Sequence, residues 1–381
     1  MDERCVDGYF NYTADEKAAL VELYTKFDDV VITVLMPIIL LIGLLGNASF
    51  ILMLYRVPKM RTVTNFYLAN LAVSDSMFLA FGIISKIHEY WESSVSFHPA
   101  YHGLFSCFAS NSVVSLSYFA TLFILTLVSL EKYYGICRPI RHRLVSGWNR
   151  TVKLTVCAWL LSLLVAATGV PSYCTLNYYC FMWPPGDLYV HLYDVYAYCG
   201  PVAYWADAYA NTIQTIPFFT AFVLSATMYS LIVRRLSQRV DHPHGQQSDN
   251  NHQFSDRAVK IRNQVARMLV VNGTLFFLLL SPFEIFSLLL SYNHLLREDR
   301  KFINYSQKQT GLQICRVLSY VNSAINPYVY GMVNSRYRHA FKVTFFLTRN
   351  NRVDAEPSRS RQNHLSTLHD VHLHQATENP N

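Results

Sequence analysis

The stretch Asn322-Ser323-Ala324-Ile325-Asn326-Pro327-Tyr328-Val329-Tyr330 lies inside an apolar block near the C-terminal end of the chain. It sets two amides, a proline and two phenols at membrane depth. A bilayer core holds no water to satisfy such groups, so the run persists only where it faces other helices or an internal aqueous cavity. Its surroundings must therefore be a bundle of further spans.

The rest of the sequence supplies them. Of 381 residues, 52% are hydrophobic and 15% charged, and the apolar ones are gathered into long blocks rather than spread at amphipathic spacing. Seven blocks reach or approach the roughly 20 residues that a helix needs to cross a bilayer: Val30–Tyr55, Asn65–Ile87, Cys107–Glu131, Val152–Val170, Tyr204–Leu231, Val265–Leu290 and Leu312–Val333. The expected fold is all-α, a seven-transmembrane helix bundle followed by a short amphipathic helix. The expected organisation is an extracellular N-terminus over 1–29, a transmembrane domain over 30–333, a membrane-surface helix over 334–346 and a disordered cytoplasmic tail over 347–381. Met1-Asp2-Glu3-Arg4 is acidic and no apolar core follows until Val30, so the first span is expected to serve as its own insertion signal.

Basic residues cluster in alternate loops: Arg56, Lys59 and Arg61; Arg138, Arg141, Arg143 and Arg150; Arg234, Arg235, Arg239 and Arg257; Arg336, Arg338 and Lys342. Those loops are expected in the cytoplasm, with the N-terminus outside and the C-terminus inside a plasma membrane. The net charge of +7 follows from this asymmetry, and no nucleic-acid partner is needed to explain it. Cys5, Cys107, Cys174, Cys180 and Cys199 fall on the outer side, where oxidation is allowed. Asn11-Tyr12-Thr13 and Asn304-Tyr305-Ser306 are glycosylation sequons on outer segments. Asn149 and Asn272 head chance matches, one cytoplasmic and one inside a span.

Before the first span, Leu20, Leu23, Tyr24 and Phe27 recur at helical spacing, either as an amphipathic helix on the outer surface or as a frayed tail. Ser237 to Asp256 is polar and turn-rich and reads as a flexible linker. Ser335 to Phe346 mixes basic and aromatic residues as a helix on anionic membrane lipid would. Beyond it, Ser358, Ser360, Ser366 and Thr367 are candidate phosphate acceptors, and His364, His369, His372 and His374 read as solvated rather than metal-binding.

Polar groups recur mid-span: Asn47 in span one, Asp75 in span two, Ser117 and Thr121 in span three, and Asn322, Ser323 and Asn326 in span seven. A carboxylate at mid-membrane costs at least roughly 2.5–3.5 kcal/mol, so Asp75 requires hydrogen-bond donors or a cation. The amides and hydroxyls on the other spans can supply the donors, either as an ion or proton site or as glue between helices. Glu131-Lys132-Tyr133 ends span three, where its charges either dock a cytoplasmic partner or mark the end of the helix.

Together, Gly46-Asn47, Leu71-Ala72-Val73-Ser74-Asp75, Cys107, Glu131-Lys132-Tyr133, Trp159, Phe276 with Pro282, and Asn326-Pro327-Tyr328-Val329-Tyr330 resemble the rhodopsin-like class of G-protein-coupled receptors. The match has one set per helix, in the family's order. Lys59 to Asn65, Arg262 to Leu269 and Asn322 to Pro327 look most like thyrotropin-releasing hormone receptors and their neuromedin and ghrelin relatives. The resemblance implies a sodium pocket of Asp75, Thr121, Asn322, Ser323 and Asn326, the only cofactor expected. It implies a disulfide from Cys107 to the second outer loop, where three cysteines compete. Cys199 is the expected partner because it lies closest to span five, as the family's does. Cys174 and Cys180 would then close a bridge of their own, leaving Cys5 unpaired or paired elsewhere. It implies a ligand site lined by Ser115, Phe119, Phe283, Glu284 and Arg316, with Lys86 and Glu89 at the rim. An arginine at the position of Arg316 contacts the peptide in thyrotropin-releasing hormone receptors. Ser115, Phe119 and Glu284 depart from that pocket, so the ligand does not carry over. The tyrosine-rich loop from Tyr173 to Tyr209 suits a peptide surface, though interfacial tyrosines would look alike.

The switch and G-protein contact set implied by the family is Glu131, Lys132, Tyr133, Phe276, Leu280, Pro282, Asn326, Pro327 and Tyr330. Lys132 replaces the usual arginine and keeps the charge without the planar fork of donors. Leu280 replaces the tryptophan two residues before Pro282. Pro217 precedes Tyr229 by twelve residues where the family spacing is eight, so one of the two is out of register. The expected function is a receptor for an extracellular neuropeptide that activates a heterotrimeric G protein, of the phospholipase-C-coupled kind, with arrestin as a further partner. The alternatives are a scavenger or decoy that does not signal, and a transporter or proton channel using Asp75. The sequence holds no nucleophile, base and oxyanion set, so no enzyme is expected.

Overall fold

Each apolar block folds as a helix longer or shifted relative to the block itself. The computed structural model describes residues 8–96, 103–240, 250–296 and 302–346. Its elements in chain order are β1 (Gly8–Asn11), α1 (Glu16–Val21), α2 (Lys26–Val30), α3 (Met36–Arg56), α4 (Val63–Glu92), α5 (Leu104–Cys137), α6 (Pro139–Val145), α7 (Trp148–Thr168), β2 (Thr175–Met182), β3 (Val195–Gly200), α8 (Trp205–Val240), α9 (Asn250–Leu295), α10 (Tyr305–Val333) and α11 (Ser335–Phe345). The described residues up to Phe341 form one compact unit and those from Lys342 a second.

Hydropathy marks only the part of a helix that lies in lipid, whereas backbone hydrogen bonding continues into water until a cap stops it. Thr62 caps α4, accepting from the Asn65 amide, and Asn304 with Gln307 forms a reciprocal capping box at the start of α10. The polar linker expected over Ser237 to Asp256 is corrected by the same reasoning. Its flanks are helical, to Val240 and from Asn250, while residues 241–249 lie outside the described residues. Ser358, Ser360, Ser366, Thr367 and the tail histidines also lie outside them, as does Cys5.

Span one is α2 joined to α3 by a π turn over Val31–Leu35, next to Pro37, which has no N–H for the preceding turn. Thr25 and Asp28 close a capping box before it. That box splits the expected outer amphipathic helix. The chain folds as α1, breaks, and restarts, so Leu20 and Phe27 are exposed while Leu23 bridges to Val95 and Tyr24 stacks near Tyr90.

Six spans, within α2–α3, α4, α5, α7, α8 and α9, are long and apolar enough to cross a membrane. The seventh, α10, carries Lys308, Arg316 and the Asn322–Asn326 amides that dilute its hydropathy. It packs against α3, α4 and α9 all the same. α5 packs on α4, α7 and α8, and α8 on α9, which closes the bundle. The inner-half core joins Phe50, Tyr67, Leu71, Val128, Met268, Tyr330 and Tyr337. Trp159 Nε1 donates to Asn70 Oδ1 at 3.1 Å, which ties α7 to α4.

One end of the bundle, the one expected outside, holds a sheet that the helical reading did not foresee. β2 and β3 form an antiparallel hairpin, and β1 adds to β2 in parallel, Gly8 opposite Tyr179 and Asn11 opposite Met182. Phe10, Tyr12, Phe181 and Trp183 stack along one face of it. Cys199 on β3 is disulfide-bonded to Cys107 on α5. The expected Cys174–Cys180 bridge is not formed: Cys174 is a free thiol and Cys180 is in a different disulfide. The two are too unlike in setting, since Cys180 lies mid-strand beside β1 while Cys174 precedes β2.

Candidate functional site

Behind the hairpin, a cavity of about 490 Å³ opens between α4, α5, α8 and α10. Lys86, Glu89 and Arg316 line it, as the sequence led one to expect of them, together with Ser110, Asn111, Tyr198, Asp207, Asn211 and Lys308. Ser115, Phe119, Phe283 and Glu284 lie outside its lining. Helix geometry gives the reason. The stripe of α5 that faces the cavity runs through Ser110, Asn111 and Val114, and Tyr118 is its next member, so Phe119 turns aside to pack on Tyr118 and Phe123. Glu284 is fully buried in a hydrogen-bonded cluster below the cavity.

The lining carries three cations against two carboxylates. Lys86 and Glu89, one turn apart on α4, form an ion pair, and Lys308 feels Asp207. Among the described residues Arg316 has no hydrogen-bond or ion-pair partner, so its guanidinium is the charge left over. Burial, with Asp207 nearby, pushes the Tyr198 phenol up to about 12, and burial raises that of Tyr173 as well. Both therefore face the cavity as neutral hydroxyls. Asp207, Lys308 and Asn211 escaped the sequence reading, although polar residues at the outer ends of spans five and seven were a usable signal.

Deeper in the bundle, Asp75 is fully buried. Asn326 Nδ2 donates to its Oδ2 at 2.6 Å and Thr121 Oγ1 to its Oδ1 at 3.3 Å. Thr121 also meets Ser74 Oγ at 2.9 Å, and Asn47 Nδ2 donates to the Ser323 carbonyl at 3.2 Å. Thr121, Asn322 and Ser323 line an adjoining void of about 10 Å³, with Phe276 and Leu280 across it. Spans two, three and seven thus bring the five residues of the expected ion pocket together: Thr121, Asn322 and Ser323 line the void, and Asp75, bonded to Thr121 and Asn326, lies beside it.

At the inner end, Glu131 does not pair with its neighbour Lys132. His142 Nε2 on α6 lies 2.7 Å from Glu131 Oε1, and Lys132 Nζ donates to Thr64 Oγ1 on α4. These two line a second cavity, of about 270 Å³, with Gly135, Ile136, Pro139 and Arg143. Tyr133 packs beside Ile136, Tyr229 and Ile232. Tyr229 Oη meets Ser129 Oγ at 2.6 Å, inside the bundle. Tyr229 is thus turned into the bundle, while Pro217 lies within the continuous α8. Pro282 and Pro327 sit within continuous helices. Tyr330 is buried against Phe50 and Tyr337, at centroid distances of 5.3 and 5.9 Å, and its hydroxyl has no partner among the described residues. Leu280 packs with Phe276, Phe218 and Leu122. His142 and Thr64 were not foreseen, because pairing across elements leaves no mark in local sequence.

The arrangement has a charged cavity at one end, a polar centre midway and a cavity with charged walls at the other. The family described as 7 transmembrane receptor (rhodopsin family) matches residues 46–330, most of the chain, from within the first span to within the seventh. The chain is 28% identical over 329 residues to G-protein coupled receptor 54 of Oreochromis niloticus, covering 81% of this chain and 76% of that one. It is 26% identical over 321 residues to type-1 angiotensin II receptor A of Xenopus laevis, covering 82% and 78%. It is also 26% identical over 336 residues to the thyrotropin-releasing hormone receptor of Ovis aries, covering 82% and 77%.

Proposed function

The chain belongs to the rhodopsin family of seven-transmembrane receptors, and on that premise we propose that it is a cell-surface receptor for an extracellular peptide that activates a heterotrimeric G protein. Members of the family are receptors, not enzymes, and the relatives include receptors named for thyrotropin-releasing hormone and angiotensin II. The observation that carries the reading is the outer cavity, whose Arg316 cation lacks a neutralising partner beneath a tyrosine-rich sheet. A C-terminal carboxylate or an acidic side chain would supply the missing charge in a charge-assisted hydrogen bond, and neutral phenols such as Tyr198 would hold backbone amides beside it. The cavity's volume falls in the range of ordinary ligand sites.

The same reading covers the finer assignments. The N-terminus faces outward with glycans on Asn11 and Asn304, both exposed. The G protein is of the phospholipase-C-coupled kind, and arrestin binds the same inner face. α11 lies on membrane lipid, with Arg336, Arg338 and Lys342 as its basic residues. Asp75, Thr121, Asn322, Ser323 and Asn326 would hold a sodium ion. Their oxygens are hard donors, as such a cation requires, and Thr121, Asn322 and Ser323 border a void of about one water's size. The ion would neutralise the Asp75 charge and favour the packing in which Tyr330 is buried.

A peptide screen read by G-protein recruitment tests the proposal. An activating peptide should lose 10–100-fold in potency with Arg316→Gln, since a hydrogen bond to a charged group is worth about 1.5–3 kcal/mol. Lys132→Ala and Asp75→Asn serve as controls on coupling. Absence of recruitment by every peptide would overturn it. A decoy that internalises ligand without signalling is the second reading, favoured by the engagement of Lys132 with Thr64 and the apolar Leu280. Uptake of labelled peptide without recruitment would select it.

A further inference from the structure

Along the seam between α8 and α9, polar side chains recur one helical turn apart on both helices. Asn211 Nδ2 donates to Ser291 Oγ at 2.9 Å, and Ser287 Oγ donates to Asn211 Oδ1 at 3.2 Å. One turn deeper, Gln214 Nε2 donates to Glu284 Oε1 at 3.0 Å and Thr215 Oγ1 to Glu284 Oε2 at 3.1 Å. From α5, Tyr118 Oη donates to Glu284 Oε1 at 2.7 Å. Glu284 is fully buried and Thr215 nearly so, and every donor to the carboxyl in this set is neutral.

Positions 211, 214 and 215 share one face of α8, as 284, 287 and 291 share one face of α9, because residues three and four apart stack on a helix. The contacts form a zipper, not scattered glue. A buried carboxyl stripped of its donors incurs the full desolvation penalty. α9 therefore cannot swing or rotate away from α5 and α8 while Glu284 keeps its three bonds. The two ends of the zipper open onto different spaces. Asn211 lines the outer cavity. Tyr118 lines the void next to the ion pocket, facing Phe276 and Leu280. Leu280 itself offers neither an aromatic face nor a hydrogen bond with which to sense a ligand above it.

We propose that this zipper, closed by Glu284, couples the outer cavity to α9: a ligand group that takes Asn211 away from Ser287 and Ser291 loosens the upper rung, and release of Glu284 from Tyr118, Gln214 and Thr215 frees α9 to move. Glu284, Asn211 and Tyr118 are positioning residues in this scheme. The proposal rests on the receptor reading for its purpose, but the zipper itself can be tested without ligand or G protein.

Spin labels on Lys153→Cys and Arg267→Cys, with Cys137, Cys157 and Cys174 replaced by serine and Cys315 buried, report the separation of α7 and α9 in the purified full-length protein. The near-isosteric pair Tyr118→Phe with Thr215→Val should raise the population at longer distance about tenfold, the loss expected for two buried hydrogen bonds. Basal nucleotide exchange on an added heterotrimeric G protein should rise with it. Glu284→Leu should do the same, whereas Glu284→Gln, which keeps an acceptor and a donor at the same site, should stay near the parent. Ser225→Ala, a buried α8 hydroxyl without a partner, is the control and should shift nothing. If the double variant is poorly folded, Ser287→Ala should give a smaller change in the same direction. An unchanged distance distribution alongside a lower unfolding temperature would overturn the proposal and leave the seam as structural glue. A longer distance without any gain in nucleotide exchange would uphold the zipper and count against the G-protein reading instead.

Discussion

Lys132 and Glu131 show how one substitution redirects a local network. With a compact ammonium in place of a planar fork, residue 132 lacks the spread of donors to bridge α4 and Glu131, and here it serves Thr64. Glu131 is left to His142 on the neighbouring α6. Lys132→Arg should satisfy both partners at once and hold α5 more firmly to α4, so basal nucleotide exchange should fall several-fold; an unchanged rate would show that the ammonium does not restrain the inner end. Asp75 makes the complementary case. Exchanging sodium for N-methylglucamine should lower the unfolding temperature of the parent protein, because an ion that binds only the folded state stabilises it. Asp75→Asn should abolish that difference, and a retained salt effect would place the cation elsewhere. At this scale the sequence was legible where spacing and chemistry coincide. Asp75, Thr121 and Asn326 come together from three helices, as their rarity in lipid required. It was less legible where a helix's rotation decides the matter, since Phe119 and Tyr118 differ by one position and only Tyr118 turns inward.

Elements carry the next set of constraints. The bond between Cys107 and Cys199 fixes the hairpin to the head of α5 and so holds the cavity's roof. Cys199→Ala should cost about 2–5 kcal/mol of stability, as loss of a native disulfide in other proteins does. It should also weaken peptide binding more than it lowers surface expression, measured by labelled-peptide saturation on intact cells. Gly273 matters for the opposite reason. A side chain there would run into the Tyr229 ring, so Gly273→Ala should destabilise by about 1–3 kcal/mol through overpacking, read as a lower unfolding temperature. The helical elements were readable from apolar blocks because lipid demands them. The sheet was not, since β1 is four residues long and pairs with a strand that follows four spans later in the chain. No local pattern announces so distant a partner.

For the whole molecule, the proposed orientation is testable on its own. Thr13→Ala and Ser306→Ala should each remove one glycosidase-sensitive step in gel mobility, while leaving the Asn304 cap of α10 intact. Loss of neither step would reverse or refute the outward placement of these segments. The bundle itself was the most legible feature, because seven apolar blocks admit few arrangements. The hydrogen-bonded seam below the charged cavity was not legible, for Glu284 was read as a lining residue and its donors Tyr118, Gln214 and Thr215 each look ordinary in sequence. The parallel pairing of β1 with β2 has a consequence in time as well as space. On the proposed orientation, β1 is made first and stays without its partner until β2 has followed it across the membrane, so the sheet would close late and slowly, as non-local strand pairing does. Throughout that interval the proposed outward placement would leave Asn11 on an unpaired strand, open to the glycosylating machinery. Sugar attached then would already be in place when Asn11 comes to lie opposite Met182.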